Sequence, residues 1–307
     1  MSKVSIIGGA GTLGATVGFL LSTSKKVEEV CLIDRNEKLL QNHLMDMQNA
    51  LPSMKIYGGS WENLAGSDVV VITAGVSNRN DVASRNEFLQ GNIEIFKLIG
   101  KQLIKYAPHA LIVTASNPVD ILNFYLYKHF QFKREQLIGY TLNDSLRFEW
   151  ALKKVLSLHK KDTLQSPVLG EHGSSQVPIY SRVVLNNQPL ILSAKEKEKV
   201  QQEIQSWFSK FNGLQINRTT GWTSGVGLTT LIDKLISSES NEIIGSAVVE
   251  GEYGLRELSI GVPLSVNNKG IQKVHEWTLE LGEQEALLRS AQTIQQLLKE
   301  VDMVSIK

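Results

Sequence analysis

The chain has 307 residues, 42% hydrophobic and 21% charged, which supports a buried core, excludes disorder and leaves room for two domains of ~150 residues. Its 32 basic and 31 acidic side chains cancel to +1, so nucleic acid and anionic membranes meet no basic field, and any anionic ligand must be gripped by a few placed cations. No apolar run reaches the ~20 residues of a membrane span, Gly8 and Gly9 cut short the first apolar stretch, and the one cysteine, Cys31, excludes an internal disulfide or polythiolate zinc site.

A reducing, cytoplasmic setting is therefore expected. In chain order, apolar runs predict strands over Val4–Ile7, Val30–Ile33, Val69–Thr73, Leu111–Thr114 and Leu137–Gly139, with Met54–Tyr57 as a shorter addition. Amphipathic stretches between them predict helices over Thr12–Ser24, Asn36–Ala50, Asn86–Tyr106 and Asp120–Phe130. Strands without period-2 alternation, each followed by a helix, point to a doubly wound parallel sheet in an α/β fold. Cys31 lies in the second of these runs and reads as a small buried hydrophobe. After about residue 143 the rhythm changes. Helices are predicted over Ser145–Ser157, Ala194–Phe211, Ser224–Ser238 and Glu283–Val301, with a hairpin-like piece at Leu185–Pro189. Two antiparallel strands are expected between Ile243 and Leu264, around the turn Glu250–Gly254. The expected division is a cofactor-binding domain over 1–142 and an α+β catalytic domain over 143–307.

Between the first strand and first helix stands Gly8-Gly9-Ala10-Gly11-Thr12-Leu13-Gly14. Such a loop makes a tight turn, lets the backbone approach a pyrophosphate, and aims the free N–H groups of the helix start at the phosphates. Asp34 follows Gly14 by 20 residues, at the end of the second strand. A carboxylate there binds ribose hydroxyls and repels a 2′-phosphate, which favours NAD over NADP. Arg35 beside it is a cation that can accommodate that phosphate, so the preference stays open at this point.

Of six histidines, five sit in settings that suit surface or packing roles. His172 differs: it lies in Gly170-Glu171-His172-Gly173-Ser174, at the end of an apolar run, and is a candidate general base. Asp144 and Arg147 are three apart in a helical segment and share a face. They read either as a surface ion pair or as a carboxylate that orients a histidine beside a guanidinium that grips a substrate carboxylate.

These pieces, with Thr73-Ala74-Gly75-Val76, Ser116-Asn117-Pro118-Val119-Asp120, Asn143-Asp144-Ser145-Leu146-Arg147-Phe148, Gly251–Leu255 and Ile260–Pro263, resemble the lactate/malate dehydrogenase family over essentially the whole chain. The resemblance implies a Rossmann domain followed by an α+β substrate domain, and an L-2-hydroxy acid dehydrogenase using NAD. It implies His172 as proton acceptor and donor, with Asp144 as its partner. Arg147 would clasp the substrate carboxylate, Asn117 would bond near the reacting oxygen, and Arg85 would polarise the carbonyl. Thr223 would line the substrate pocket, though a helix-start role is the alternative. Gly8, Gly9, Gly11, Thr12, Leu13, Gly14, Asp34, Thr73, Ala74, Gly75 and Asn117 would hold the cofactor; no metal is implied. A homodimer or homotetramer is expected.

The chain departs from the family between Gly75 and Arg85, where it is one residue longer than usual and carries Val82 in place of a glycine. Substrate choice in the family rests on one position here: arginine for malate, commonly glutamine for lactate. Counting back from Arg85 places Arg79 there; counting forward from Gly75 places Asn78. The remaining motifs, Gly170–Gly173 and 251–263 above all, lean the expectation to L-lactate and pyruvate, with malate and oxaloacetate as the alternative. Family members activated by fructose 1,6-bisphosphate use an arginine and a histidine where this chain has Glu149 and Gln165, so no such activation is expected. Two rivals are a metal-using NAD-dependent glycosidase, which the lone Cys31 disfavours, and a catalytically silent NAD-binding scaffold, which the retained histidine, aspartate and arginines disfavour.

Overall fold

The computed structural model describes residues 2–76, 85–216 and 220–305, with the backbone alone at 85–88, 208, 212 and 302–305. The expected first-half strands form as β1 (Lys3–Ile7), β2 (Glu29–Ile33), β3 (Lys55–Gly58), β4 (Val69–Ile72), β5 (Leu111–Thr114) and β6 (Leu137–Gly139). Helices α1 (Thr12–Thr23), α2 (Glu37–Ala50), α3 (Arg85–Tyr106) and α4 (Val119–Phe130) alternate with them. All four residues of β4 and of β5 are buried, because helices cover both faces, and this is why the runs read as continuously apolar. The strands lie parallel in the order β3-β2-β1-β4-β5-β6, so chain direction across the sheet reverses between β1 and β4. Ligands of such sheets bind beyond the carboxyl ends of the strands at that switch point.

The second half does not form a separate sheet of equal rank. Strands β12 (Asn241–Glu250), β13 (Arg256–Asn267) and β14 (Gly270–Val274) continue the first one, giving nine strands in the order β14-β13-β12-β6-β5-β4-β1-β2-β3. The junction is antiparallel and places Ser246 opposite Gly139. The long pair β12–β13 runs from Asn241 opposite Val266 to Val249 opposite Leu258, the antiparallel pair expected around the turn Glu250–Gly254.

Helix α5 (Leu142–Val155) starts three residues earlier than expected, because the Asp144 N–H already bonds to the Thr141 carbonyl at 3.0 Å. Five two-residue strands follow: β7 (Leu164–Gln165), β8 (Val168–Leu169), β9 (Val177–Pro178), β10 (Val184–Leu185) and β11 (Gln188–Pro189). The β10–β11 hairpin turns on Asn186 and Asn187, both at positive φ (50° and 63°), the conformation a two-residue hairpin turn demands. Helices α6 (Ala194–Gly213), α7 (Gly221–Leu235) and α8 (Leu281–Ser305) complete the chain. One core runs under the large sheet; a smaller one, around Phe148, Leu152, Val200 and Ile204, joins α5 to α6. Among the described residues, no helix is long and apolar enough to cross a membrane. Cys31 is fully buried and unbonded to another cysteine, and burial pushes its thiol pKa up, as its apolar run implied.

Candidate active site

The glycine loop leaves β1 at the switch point. Gly8 has φ +95°, and a side chain there would meet the Ala74 backbone nitrogen at 2.6 Å. A Cβ on Gly14 would stand 2.1 Å from the Gly8 carbonyl oxygen. The Thr73 hydroxyl, at the end of β4, donates to the Ile7 and Gly8 carbonyls at 3.1 and 3.2 Å. Backbone crowding therefore explains the glycines, and the N-terminus of α1 is left without a side-chain cap. Asp34 follows β2 and accepts the Ala10 N–H at 3.0 Å and the Asn36 N–H at 2.9 Å, so its carboxylate faces the loop. Gly11 lies in the same turn, Thr12 and Leu13 open α1, and beyond β4 Ala74 stands against Gly8 while Gly75 faces Asn92. A close-approach turn, an uncapped helix start and a carboxylate on one edge fit a dinucleotide.

Asn117 follows β5 on the same carboxyl edge, joined to Pro118 by a cis peptide. Its carbonyl accepts from Asn92 of α3 at 2.8 Å, while the Asn92 side-chain oxygen accepts the Val76 N–H at 2.7 Å. Asn92 thus ties the segment after Gly75 to Asn117 from a buried position. Nothing in the local sequence around Asn92 marks it, since its partners lie 16 and 25 residues away.

The structure brings His172, Asp144 and Arg147 together. The His172 Nδ1 lies 2.6 Å from the Asp144 Oδ2, and Arg147 Nη1 lies 3.4 Å from the other oxygen, Oδ1. With Nδ1 donating to the carboxylate, Nε2 is the nitrogen left to meet a substrate. Side-chain exposure is 16% for His172, 5% for Asp144 and 10% for Arg147, so these charges interact with little screening by water. The surface-ion-pair reading of Asp144 and Arg147 is thereby excluded.

The histidine loop is fixed by three neighbouring elements and by a bond within itself. Gly170 bridges Gly261 of β13, with bonds of 2.9 and 3.0 Å, and the Glu171 N–H donates to Ser290 of α8 at 2.7 Å. The His172 N–H donates to Asp120 Oδ2 at 2.8 Å, and the Glu171 carboxylate accepts from Ser175. Asp120 is itself part of a buried network: Ser246 donates to its Oδ1 at 2.5 Å, and Ser246, Ser259 and Asn123 are bonded to one another. Burial pushes the Asp120 pKa up to about 6, against the pull of the Ser246 and His172 bonds. Burial draws the His172 imidazole down, but the Asp144 carboxylate, with Asp120 behind it, outweighs burial and holds its pKa above the usual value.

Asp120 stood in a matched motif but received no role from the sequence, because its partners lie 52 and 126 residues away. Thr223 sits exposed in the first turn of α7 and makes no hydrogen bond to the His172 group among the described residues. The segment holding Asn78, Arg79 and Val82 lies outside the described residues, and Arg85 is described only as the backbone start of α3. Among the described residues no cluster could hold a metal ion.

The lactate/malate dehydrogenase NAD binding domain matches residues 2–139, and the lactate/malate dehydrogenase alpha/beta C-terminal domain matches residues 141–304. The malate dehydrogenase of Halobacterium salinarum is 32% identical over 96% of this chain and 97% of its own. The L-lactate dehydrogenase of Acetivibrio thermocellus is 28% identical over 99% of this chain and 98% of its own. The solved malate dehydrogenase of Picrophilus torridus superposes with a TM-score of 0.89 at 27% identity, covering 98% of this chain and 97% of the other. Both halves of the chain, its sheet order and its glycine turn thus agree: the chain belongs to the lactate/malate dehydrogenase family and is an NAD-dependent 2-hydroxy acid dehydrogenase.

Proposed function

We propose that His172 is the group that takes and returns the hydroxyl proton, and that Arg147 holds the substrate carboxylate. The observation that carries this reading is the double use of Asp144, whose two oxygens anchor the imidazole and the guanidinium at once. In oxidation of a 2-hydroxy acid, Nε2 of His172 accepts the hydroxyl proton while Asp144 stabilises the imidazolium that forms. NAD, when bound, supplies the acceptor for the hydride leaving the alcohol carbon. In the reverse direction the protonated imidazole donates to the carbonyl oxygen, and Arg85 meets the charge developing there. Arg147 presents a planar fork to the carboxylate, Asn117 bonds near the reacting oxygen, and Thr223 lines the pocket. Asp34 holds the adenine-side ribose, and the glycine turn with Thr73 and the α1 N-terminus holds the pyrophosphate.

For the substituent of the substrate we favour a second carboxylate, as in malate and oxaloacetate. Arg79 stands six residues before Arg85, and the relative at 32% identity is named a malate dehydrogenase. The lactate/pyruvate reading to which the sequence motifs lean is the second one, supported by the L-lactate dehydrogenase at 28% identity. Comparing kcat/KM for oxaloacetate and pyruvate with NADH tests the choice. Oxaloacetate should win, and Arg79→Gln should cost it about 10²-fold, as loss of a desolvated charge pair does. A pyruvate preference in the parent chain transfers the assignment to lactate.

A further inference from the structure

The guanidinium of Arg147 has a neighbour that the reaction scheme leaves without a purpose. Its central carbon lies 4.8 Å from the ring centroid of Trp207, on α6. The indole is braced in turn: Phe211, one helical turn on, stacks against it with centroids 5.0 Å apart and planes within 12°. Glu203, one turn back, is paired at 2.7 Å with Lys154 of α5, the helix that carries Asp144 and Arg147. Helix α6 is thereby tied to α5 at the level of the clasp, and the shared core of Phe148, Leu152, Val200 and Ile204 lies beneath them.

A guanidinium has two faces and a rim. Its faces stack on aromatic rings, and its N–H groups all lie in the plane and point outward from the rim. An aromatic floor therefore fixes the plane without consuming the donors that a carboxylate needs. The edge contact to Asp144 at 3.4 Å acts differently, because it draws one N–H toward a carboxylate already engaged with His172. Loss of the floor frees Arg147 to tilt onto Asp144, which competes directly with a bound acid.

We propose that Trp207 is a positioning residue for substrate binding, an aromatic floor that sets the plane of the Arg147 fork so that it receives the carboxylate of a 2-oxo or 2-hydroxy acid edge-on. This rests on the reading of Arg147 as the carboxylate clasp. Trp207 touches no reacting atom, so its removal acts on KM and spares kcat.

The test compares W207F, which keeps a ring, with W207L, which keeps apolar bulk without a π face, and with W207A. Steady-state KM and kcat are measured for oxaloacetate and pyruvate with NADH, and the Kd of NADH by fluorescence reports that each variant is folded. W207L and W207A should raise KM about tenfold with kcat within about threefold of the parent, while W207F keeps KM near the parent value. A KM ratio of W207L to W207F of about three or less overturns the proposal, because packing volume then accounts for the position. Arg147→Ala serves as the control on the underlying reading. If it raises KM strongly while the Trp207 variants are inert, the floor fails and the clasp stands; if it leaves KM unchanged, the clasp itself fails.

Discussion

The two ends of this site are built from different materials. At the proposed dinucleotide end, the material is main chain: a turn so tight that a Cβ on Gly14 would fall 2.1 Å from the Gly8 oxygen, with a helix start beyond it and Asp34 at its edge. At the histidine end it is side chains that arrive from three elements and meet the histidine loop only in the folded chain: Asp120 from α4, Asp144 and Arg147 from α5, and Ser246 from β12. The first end is damaged by adding atoms and the second by removing them. A contiguous motif reports the first; the second is reported by long-range partners.

The largest effect expected follows from deleting the proposed proton carrier. His172→Ala should lower kcat by roughly 10²- to 10⁴-fold with NADH binding retained, and near-normal turnover would break the assignment at the side-chain end. Gly14→Ala is the matching insult at the main-chain end. Forcing a methyl against the Gly8 oxygen should weaken NADH binding by about 10- to 100-fold, as overpacking of this kind costs ~1–3 kcal/mol. Unchanged affinity in a fluorescence titration would mean the turn has slack that the structure does not show.

Asp144→Asn sharpens the comparison through pH. The carboxylate holds the His172 pKa up against burial, so without it burial prevails and the pKa falls. Reduction of the 2-oxo acid needs the protonated imidazole and declines as pH rises through that pKa, so the decline should move to lower pH. A limb that stays in place removes Asp144 as its cause. Asp120→Asn should read out in stability instead. A carboxyl raised to about 6 in the fold disfavours folding wherever the unfolded chain ionises it more readily; that cost is absent below about pH 4, builds up between about pH 4 and pH 6, and is constant above. The melting temperature of the variant should therefore gain on the parent's by a few degrees between pH 4 and pH 7. No relative gain would place the network's energetics elsewhere. The smallest expectation is no effect: adding fructose 1,6-bisphosphate should leave activity unchanged, since Glu149, paired with Lys153 at 2.7 Å, repels a phosphate where the family resemblance implies a cation in activated members.

The same contrast sets what could be read before folding. The central strands β4 and β5 were legible because burial on both faces leaves uninterrupted apolar runs, and the glycine turn because its physics is local. His172, Asp144 and Arg147 were legible as candidates from residue type and spacing, while their meeting at 2.6 and 3.4 Å was not. Five two-residue strands, β7 to β11, are too short for periodicity to register. Asn92, Asp120 and Trp207 escaped because each works on a partner far along the chain or on another helix. The joining of β12 to β6 escaped for a similar reason: nothing in either strand specifies its neighbour, and Gly139 matters there because a side chain would meet the Ser246 Cβ at 2.6 Å.

That junction bears on how the enzyme can move. Ser246 stands opposite Gly139 on the seam between the two halves of the sheet and donates, within one side chain, to the carboxylate that carries the His172 amide. Hinge opening along the seam would expose a buried carboxylate and cut the histidine loop from its support, so the nine strands behave as one plate. Access for substrate must then come from elements above the carboxyl edge of the sheet. The His172 amide, bonded to the buried Asp120 carboxylate behind that seam, should be among the slowest in the chain to exchange its proton with solvent.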